Sequence, residues 1–401
     1  MTTATLVFDP FSDDFFNGPY ETYRRMRDEA PVYYNEQYDF YALTRHADVS
    51  AAYKDFETYS SNRGVDLAMV RKGEVTEHGS IIAMDPPSHR HMRSLLNKVF
   101  TPRAIQAQRP MVGALIDRYL LRLDRNAWFD MVQDFSALFP VEVITTMQGV
   151  PAEDSQRVRL WIDELLHRES GQVEMSDSGQ KAAIDMAIYY YKLTKQRRDQ
   201  LGDDLLSKLI TSEIERENGE MGALTNIEIT EFATLLGGAG AETVTKLIGN
   251  AAVVFAQFPD QWQRLQDDRS KIPFAVEELL RYEAPAQYNV RCSLREITLH
   301  GVTIPANKPV FLVGGSANRD PQAWTDPDRF DVDRDRAQAQ NLGLGYGIHS
   351  CLGAALARME SAIALEKMLD FMPRFEVDFA RCRRVNMQNV AGWSNVPVRV
   401  L

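Results

Sequence analysis

The stretch Gly343-Leu344-Gly345-Tyr346-Gly347-Ile348-His349-Ser350-Cys351-Leu352-Gly353 sets four glycines around one cysteine. The residues that follow, Ala354 to Met372, are apolar at helical spacing. Cys351 therefore stands at the mouth of a buried helix, where free amides and the helix dipole favour a thiolate. A thiolate in that setting serves as a nucleophile, a redox thiol or a metal ligand. His349 is the nearest base, but residues two apart do not present their side chains together on a helix. A lone buried cysteine usually acts as a small hydrophobe, yet a packing role does not require this density of glycine.

Working outward, the next anomaly lies within a long apolar helix expected from Asn226 to Gln257, with Thr225 and Glu228 forming a capping box at its start. Gly237, Gly238 and Gly240 interrupt it. Each mid-helix glycine costs about 1 kcal/mol relative to alanine, so close approach of a flat group or a partner helix must offset roughly 3 kcal/mol. Glu242 and Thr243 follow, an acid beside an alcohol in an apolar run. The Thr243 hydroxyl is placed to bond back to the Ala239 carbonyl and open a notch. The plainer reading is helix packing at the glycines, with Glu242 paired to Lys246 one turn later.

Two further constellations belong with these. Glu278 and Arg281 lie three apart on a helix expected to start near Pro273 and stop before Pro285, and Arg329 in a turn-rich segment downstream is placed to join them. His89 and Arg93 share one face of a helix. With Arg291 and His349 they supply enough positive charge and donors to neutralise the two carboxylates of an anionic cofactor.

The rest of the 401-residue chain reads as mainly helical. Amphipathic patterns cover 18–29, 46–57, 88–98, 103–124, 136–148, 154–168 and 180–198. Strands are expected at 31–35, 38–44 and 309–314, a hairpin over 297–304, and a last strand at 396–400. The polar segment 169–179 reads either as a mobile lid or as a plain helix connection. No repeat or linker divides the chain, which reads as one domain over 1–401 with 1–17 as an N-terminal extension. The net charge of −11 argues against nucleic acid. Cys292, Cys351 and Cys382 fit neither a disulfide framework nor a zinc site. The opening residues lack the basic start and apolar run of a signal peptide, and no stretch approaches the ~20 apolar residues that span a bilayer. A cytoplasmic protein is expected.

Taken together, His89/Arg93, the run Ala239-Gly240-Ala241-Glu242-Thr243, Glu278/Arg281, and Gly345 through Cys351 to Gly353 resemble the cytochrome P-450 family of the soluble bacterial class. The resemblance runs from about residue 18 to the C-terminus. It implies a mainly α fold with small β-sheets, the haem buried between the long central helix and the cysteine loop. It implies haem b with Cys351 as axial thiolate on iron. His89, Arg93, Arg291 and His349 would hold the propionates, and Ala239, Gly240, Leu344, Gly345 and Gly353 would border the haem. Glu242 and Thr243 would deliver protons to bound O2, and Glu278, Arg281 and Arg329 would form a structural ion network. The implied reaction inserts one atom of O2 into an apolar molecule, with electrons from NAD(P)H through ferredoxin and ferredoxin reductase, in a monomer. A peroxide-driven enzyme of the same fold is the alternative, as is a haem-binding sensor without turnover. The substrate is expected to be a terpenoid, a steroid or fatty-acid-like. Its pocket would take in the loop Val65–Met84, the helices near 160–186, Leu236, Ala286, Gln287, Asn289 and Trp393. Gln287 and Asn289 would hold a polar handle, although Asn289 equally suits a local backbone contact. Lys98, Arg103 and Arg358 would form the docking face for the redox partner. Leu344 departs from the family pattern, which has phenylalanine there.

Overall fold

A computed structural model of the chain describes residues 5–73, 80–216 and 219–401. Its axis is the helix Asn226–Gln257, closed at its start by the expected capping box, in which the Thr225 and Glu228 side chains each bond the other's backbone N–H. This central helix is buried along most of its length, with Ile229, Phe232, Leu247, Ile248 and Phe255 each 5 % exposed or less. Each such burial contributes about 1.5–3 kcal/mol, which together outweighs the cost of its glycines. Two of the glycines have a packing reason. A Cβ on Gly240 would come 2.9 Å from Ile144, and one on Gly237 would come 2.8 Å from the Tyr190 hydroxyl. Those neighbours sit on the helices Phe139–Gln148 and Asp177–Asp199, which pack directly on the central helix.

The expected helices are present, with one divided. The pattern at 103–124 forms two helices, Pro102–Gln106 and Arg109–Leu120. Pro110 explains the division, because a residue without an N–H is tolerated in a first turn and not in a helix interior. The pattern at 136–148 starts as a wide turn at Val132–Ser136, and the α-helix proper begins at Phe139 with Pro140 in its first turn.

The main sheet orders its strands Val32–Asn35, Phe40–Leu43, Pro309–Leu312, Asn289–Ser293 and Tyr59–Ser60. All pairs are antiparallel except Phe40–Leu43 with Pro309–Leu312. The hairpin at 297–304 forms with His300 and Gly301 at positive φ, as a two-residue turn requires. Phe8, Phe11, Phe15 and Phe16 are buried in a cluster with Tyr23, Phe40 and Phe311. The segment read as a lid is tied to this cluster. Gly171 N–H donates to the Phe11 carbonyl at 2.7 Å, Val173 packs on the cluster, and Ser176 caps the next helix.

Candidate functional site

The glycine-rich loop runs under the end of the helix Ile272–Tyr282 and beside His46–Lys54. A Cβ on Gly343 would run into the Leu280 carbonyl, and one on Gly347 into the Tyr53 carbonyl. Gly345 and Gly347 are also left-handed, at φ 68° and 72°, a region that side chains disfavour. The loop closes on itself through the Cys351 N–H, which donates to the Leu344 carbonyl at 2.9 Å. It delivers Cys351 just before the helix Ala354–Phe371. The cysteine side chain is accessible to water-sized molecules, whereas Cys292 and Cys382 are buried. Burial nevertheless pushes its thiol pKa up, against pulls from the Gly353 N–H, Arg93 and Arg358. Burial thus opposes the pull of the helix mouth toward a thiolate.

The central helix also presents an open face. Ala239 is exposed and Thr243 half-buried in the middle of an otherwise buried helix. A Cβ on Gly238 would meet nothing within 4 Å. The Thr243 hydroxyl donates to the Ala239 carbonyl at 3.0 Å, as the sequence indicated. Glu242 points to another side. It is buried and 2.5 Å from Lys246 Nζ, so the plainer reading of that residue is present too. Gly240 faces Ile144, and its absent side chain serves helix packing.

A third group gathers positive charge. His89 is 3 % exposed on the helix Ser88–Val99, its ring 4.3 Å from that of His349, and its Nε2 has no hydrogen-bond partner. Burial, then Arg93 and Arg291, depress its pKa to about 4. His349 Nε2 lies 3.2 Å from the Ser61 hydroxyl. Its pKa is driven far down by burial, Arg291, His89 and Arg93. Arg291 is almost fully buried, and burial lowers its pKa as well. Four donors thus crowd together at a cost that a bound anion relieves.

Comparison with known proteins settles the family. The family model for cytochrome P450 matches residues 16–391. The chain belongs to the cytochrome P450 family. This cytochrome P450 is 38% identical over 396 residues to cytochrome P450 123 of Mycobacterium bovis, covering 98% of this chain and 97% of that one. It is 34% identical to the erythromycin C-12 hydroxylase of Saccharopolyspora erythraea, over 88% of this chain and 87% of that one. Among solved structures it is similar to CYP109E1 from Bacillus megaterium in complex with corticosterone. The TM-score there is 0.83 at 30% identity, covering 96% of this chain and 99% of that one. The protein is therefore a monooxygenase that takes O2, a small-molecule substrate and electrons from redox partners, with haem held by a cysteine thiolate.

The residues of this cytochrome P450 fit that group. The unpartnered Nε2 of His89, the crowded cations, the accessible Cys351 and the open Ala239–Thr243 face provide donors, a sulfur and room.

Several expectations need correction. The ion network forms, but Arg329 contributes only its carbonyl, which accepts from Arg281 Nη2 at 3.2 Å and from Arg334. Arg334 supplies the second guanidinium, with Nε 3.0 Å from Glu278 Oε1, beside Arg281 Nη2 at 2.8 Å. Gln287 is fully buried and donates to the Ala284 carbonyl at 2.7 Å, so it is a structural residue rather than a substrate handle. Asn289 accepts from the Tyr53 hydroxyl at 2.8 Å. One face of the Trp393 ring is covered by Arg384, 3.9 Å away. Ala286 is half-buried and bridged to Val390, and Leu236 lies in the main core. Within the loop Val65–Met84, residues 74–79 lie outside the described residues. Arg358 is already paired with Glu277 at 2.5 Å, while Lys98 and Arg103 are exposed. Arg334 and Ser61 were missed. Arg334 lies in irregular chain and follows no helical spacing.

Proposed function

We propose that this cytochrome P450 oxygenates an apolar compound of steroid or terpenoid size over haem b, with Cys351 as the iron ligand. The observation that carries this reading is the buried cluster of His89, Arg93, Arg291 and His349, in which His89 Nε2 has no hydrogen-bond partner; an accessible Cys351 and an open Ala239–Thr243 face on the central helix support it. When bound, the haem supplies the activation of O2 and its insertion into a C–H bond or a double bond. The chain does the rest. His89, Arg93, Arg291 and His349 neutralise the two propionates, and the anions relieve the mutual repulsion of those groups. The loop glycines let the backbone pass under Leu280 and Tyr53 and fix the sulfur. Thr243 holds its hydroxyl against the Ala239 carbonyl on the open face, and Glu242, ion-paired with Lys246 in the resting chain, is the acid beside it in sequence. To act as an acid, Glu242 must take up a proton and release Lys246, whose Nζ lies 2.5 Å away. The acid–alcohol pair favours O2-driven turnover over a peroxide-driven one. Ferredoxin and ferredoxin reductase are the proposed electron source, in a cytoplasmic monomer.

The substrate class rests on the steroid bound in the similar CYP109E1 and on the exposed, apolar Ala239 on the open face of the central helix. Titration with corticosterone and testosterone, followed by product analysis with O2 and reductant, tests it. A spin-state shift and a hydroxylated product are expected. Absence of both rules out the steroid class.

A further inference from the structure

The helix Asp177–Asp199 is apolar on two faces. Ala182, Met186, Tyr190 and Leu193 are buried on the inner one, where Met186 and Tyr190 meet Gly237 of the central helix. Ile184, Ile188 and Tyr191 recur at steps of four and three, so they share the opposite face. They are 59%, 47% and 40% exposed. A helix on the surface of a fold needs one apolar side for the core, and the second has no packing use there. Leu160, on the neighbouring helix Ser155–Leu166, is exposed as well. Arg198 ties the far end of the helix to Leu224 and Asn226, and Met221 and Ile227 are exposed beside that tie. Seven of the sixteen exposed large apolar side chains among the described residues lie between 160 and 227. Single exposed side chains of this kind mean little, whereas a gathering of them marks a contact surface.

The charges on the outer face narrow what it contacts. Between residues 181 and 195 they are Lys181, Asp185, Lys192 and Lys195, three cations and one anion. Asp185 is taken by Lys181, 2.5 Å away, while Lys192 and Lys195 are exposed. The stretch is thus net positive in a chain of net charge −11. Protein interfaces are depleted in lysine. A lipid surface suits it, because the long stem covers apolar area while the ammonium reaches the headgroups.

We propose that this face rests on an anionic phospholipid surface, with Ile184, Ile188 and Tyr191 at the boundary between headgroups and chains and the three lysines on the lipid phosphates. No helix among the described residues is long and apolar enough to cross a membrane, and the contact asks for none. Apolar compounds dissolve in the same layer, so enzyme and substrate would meet there. That consequence, unlike the contact, rests on the substrate class proposed above.

The test uses the full, haem-loaded chain with vesicles of equimolar phosphatidylglycerol and phosphatidylcholine, and measures bound protein by co-sedimentation at low salt. Binding is expected. Ile184→Ser/Ile188→Ser should weaken it roughly tenfold or more, through loss of the apolar area that enters the lipid. Lys192→Glu/Lys195→Glu should weaken it by a similar factor, and so should added salt on the unsubstituted protein, because the attraction is screened. The lysine pair alters no apolar side chain, so it decides the matter even where the isoleucine variant folds poorly. Protein that stays in solution beside the anionic vesicles, or binding that the lysine pair leaves unchanged, overturns the proposal. A dimer in sedimentation velocity that Ile184→Ser/Ile188→Ser dissociates also overturns it, since a second copy then covers the face.

Discussion

Leu344 joins two requirements in one residue. Its carbonyl accepts the Cys351 N–H, and its side chain packs against the main core. Replacing it with phenylalanine puts a larger, polarisable ring at the turn that holds the Cys351 N–H and changes the surroundings that tune a metal-bound thiolate. Leu344→Phe is expected to shift the reduction potential measurably, and an unchanged potential in spectroelectrochemical titration would rule this out. Residues governed by chain-local rules were readable in advance. The Thr243 bond to Ala239 follows from a spacing of four on a helix. The raised thiol of Cys351 was not readable, because it depends on what tertiary packing brings around the sulfur.

At the scale of elements, Glu278 fastens the helix Ile272–Tyr282 to the irregular segment that follows Asp326. It accepts from Arg281, from Arg334 and from the Asp331 N–H at 3.0 Å. Removing one partner from a buried ion pair costs about 3–5 kcal/mol. Arg334→Ala should therefore lower stability by about 3 kcal/mol, since Arg281 remains. Arg329→Ala should cost under about 1 kcal/mol, because only its carbonyl is used. Urea unfolding of the two variants decides the matter, and equal losses would contradict the assignment. The sequence could not choose between Arg329 and Arg334, because no periodicity operates in turn-rich chain. It also missed the strand Asn289–Ser293. That strand is buried at four of its five positions and includes Arg291, so it has no alternation to detect. The central helix, the hairpin and the helices flanking them carried strong periodicity and emerged where expected.

Across the whole molecule, the proposed haem site is a concentration of positive charge that the fold holds together at a cost. His89 has an ordinary pKa of 6.5, lowered to about 4 in the folded chain by burial, Arg93 and Arg291. A depressed folded pKa means that unfolding takes up a proton below 6.5. Stability is then complete above that pH and falls as the pH drops toward 4, by up to about 3 kcal/mol. An anionic cofactor stabilises the protonated ring and shrinks this loss. Thermal unfolding at about pH 7.5 and about pH 5 should show a steeper acid loss for haem-free than for haem-loaded protein. Equal losses would show that His89 does not face the anion. The fold class was legible in the sequence as a whole, whereas the place of Arg334 beside Glu278 exists only once distant segments meet. The central claim, that Cys351 is the thiolate on iron, is tested most directly by the reduced, carbon-monoxide-bound spectrum of the protein and of Cys351→Ala. The account predicts a strongly red-shifted Soret band that is lost in Cys351→Ala; a band that survives the substitution, or is missing from folded, haem-loaded Cys351 protein, would contradict it.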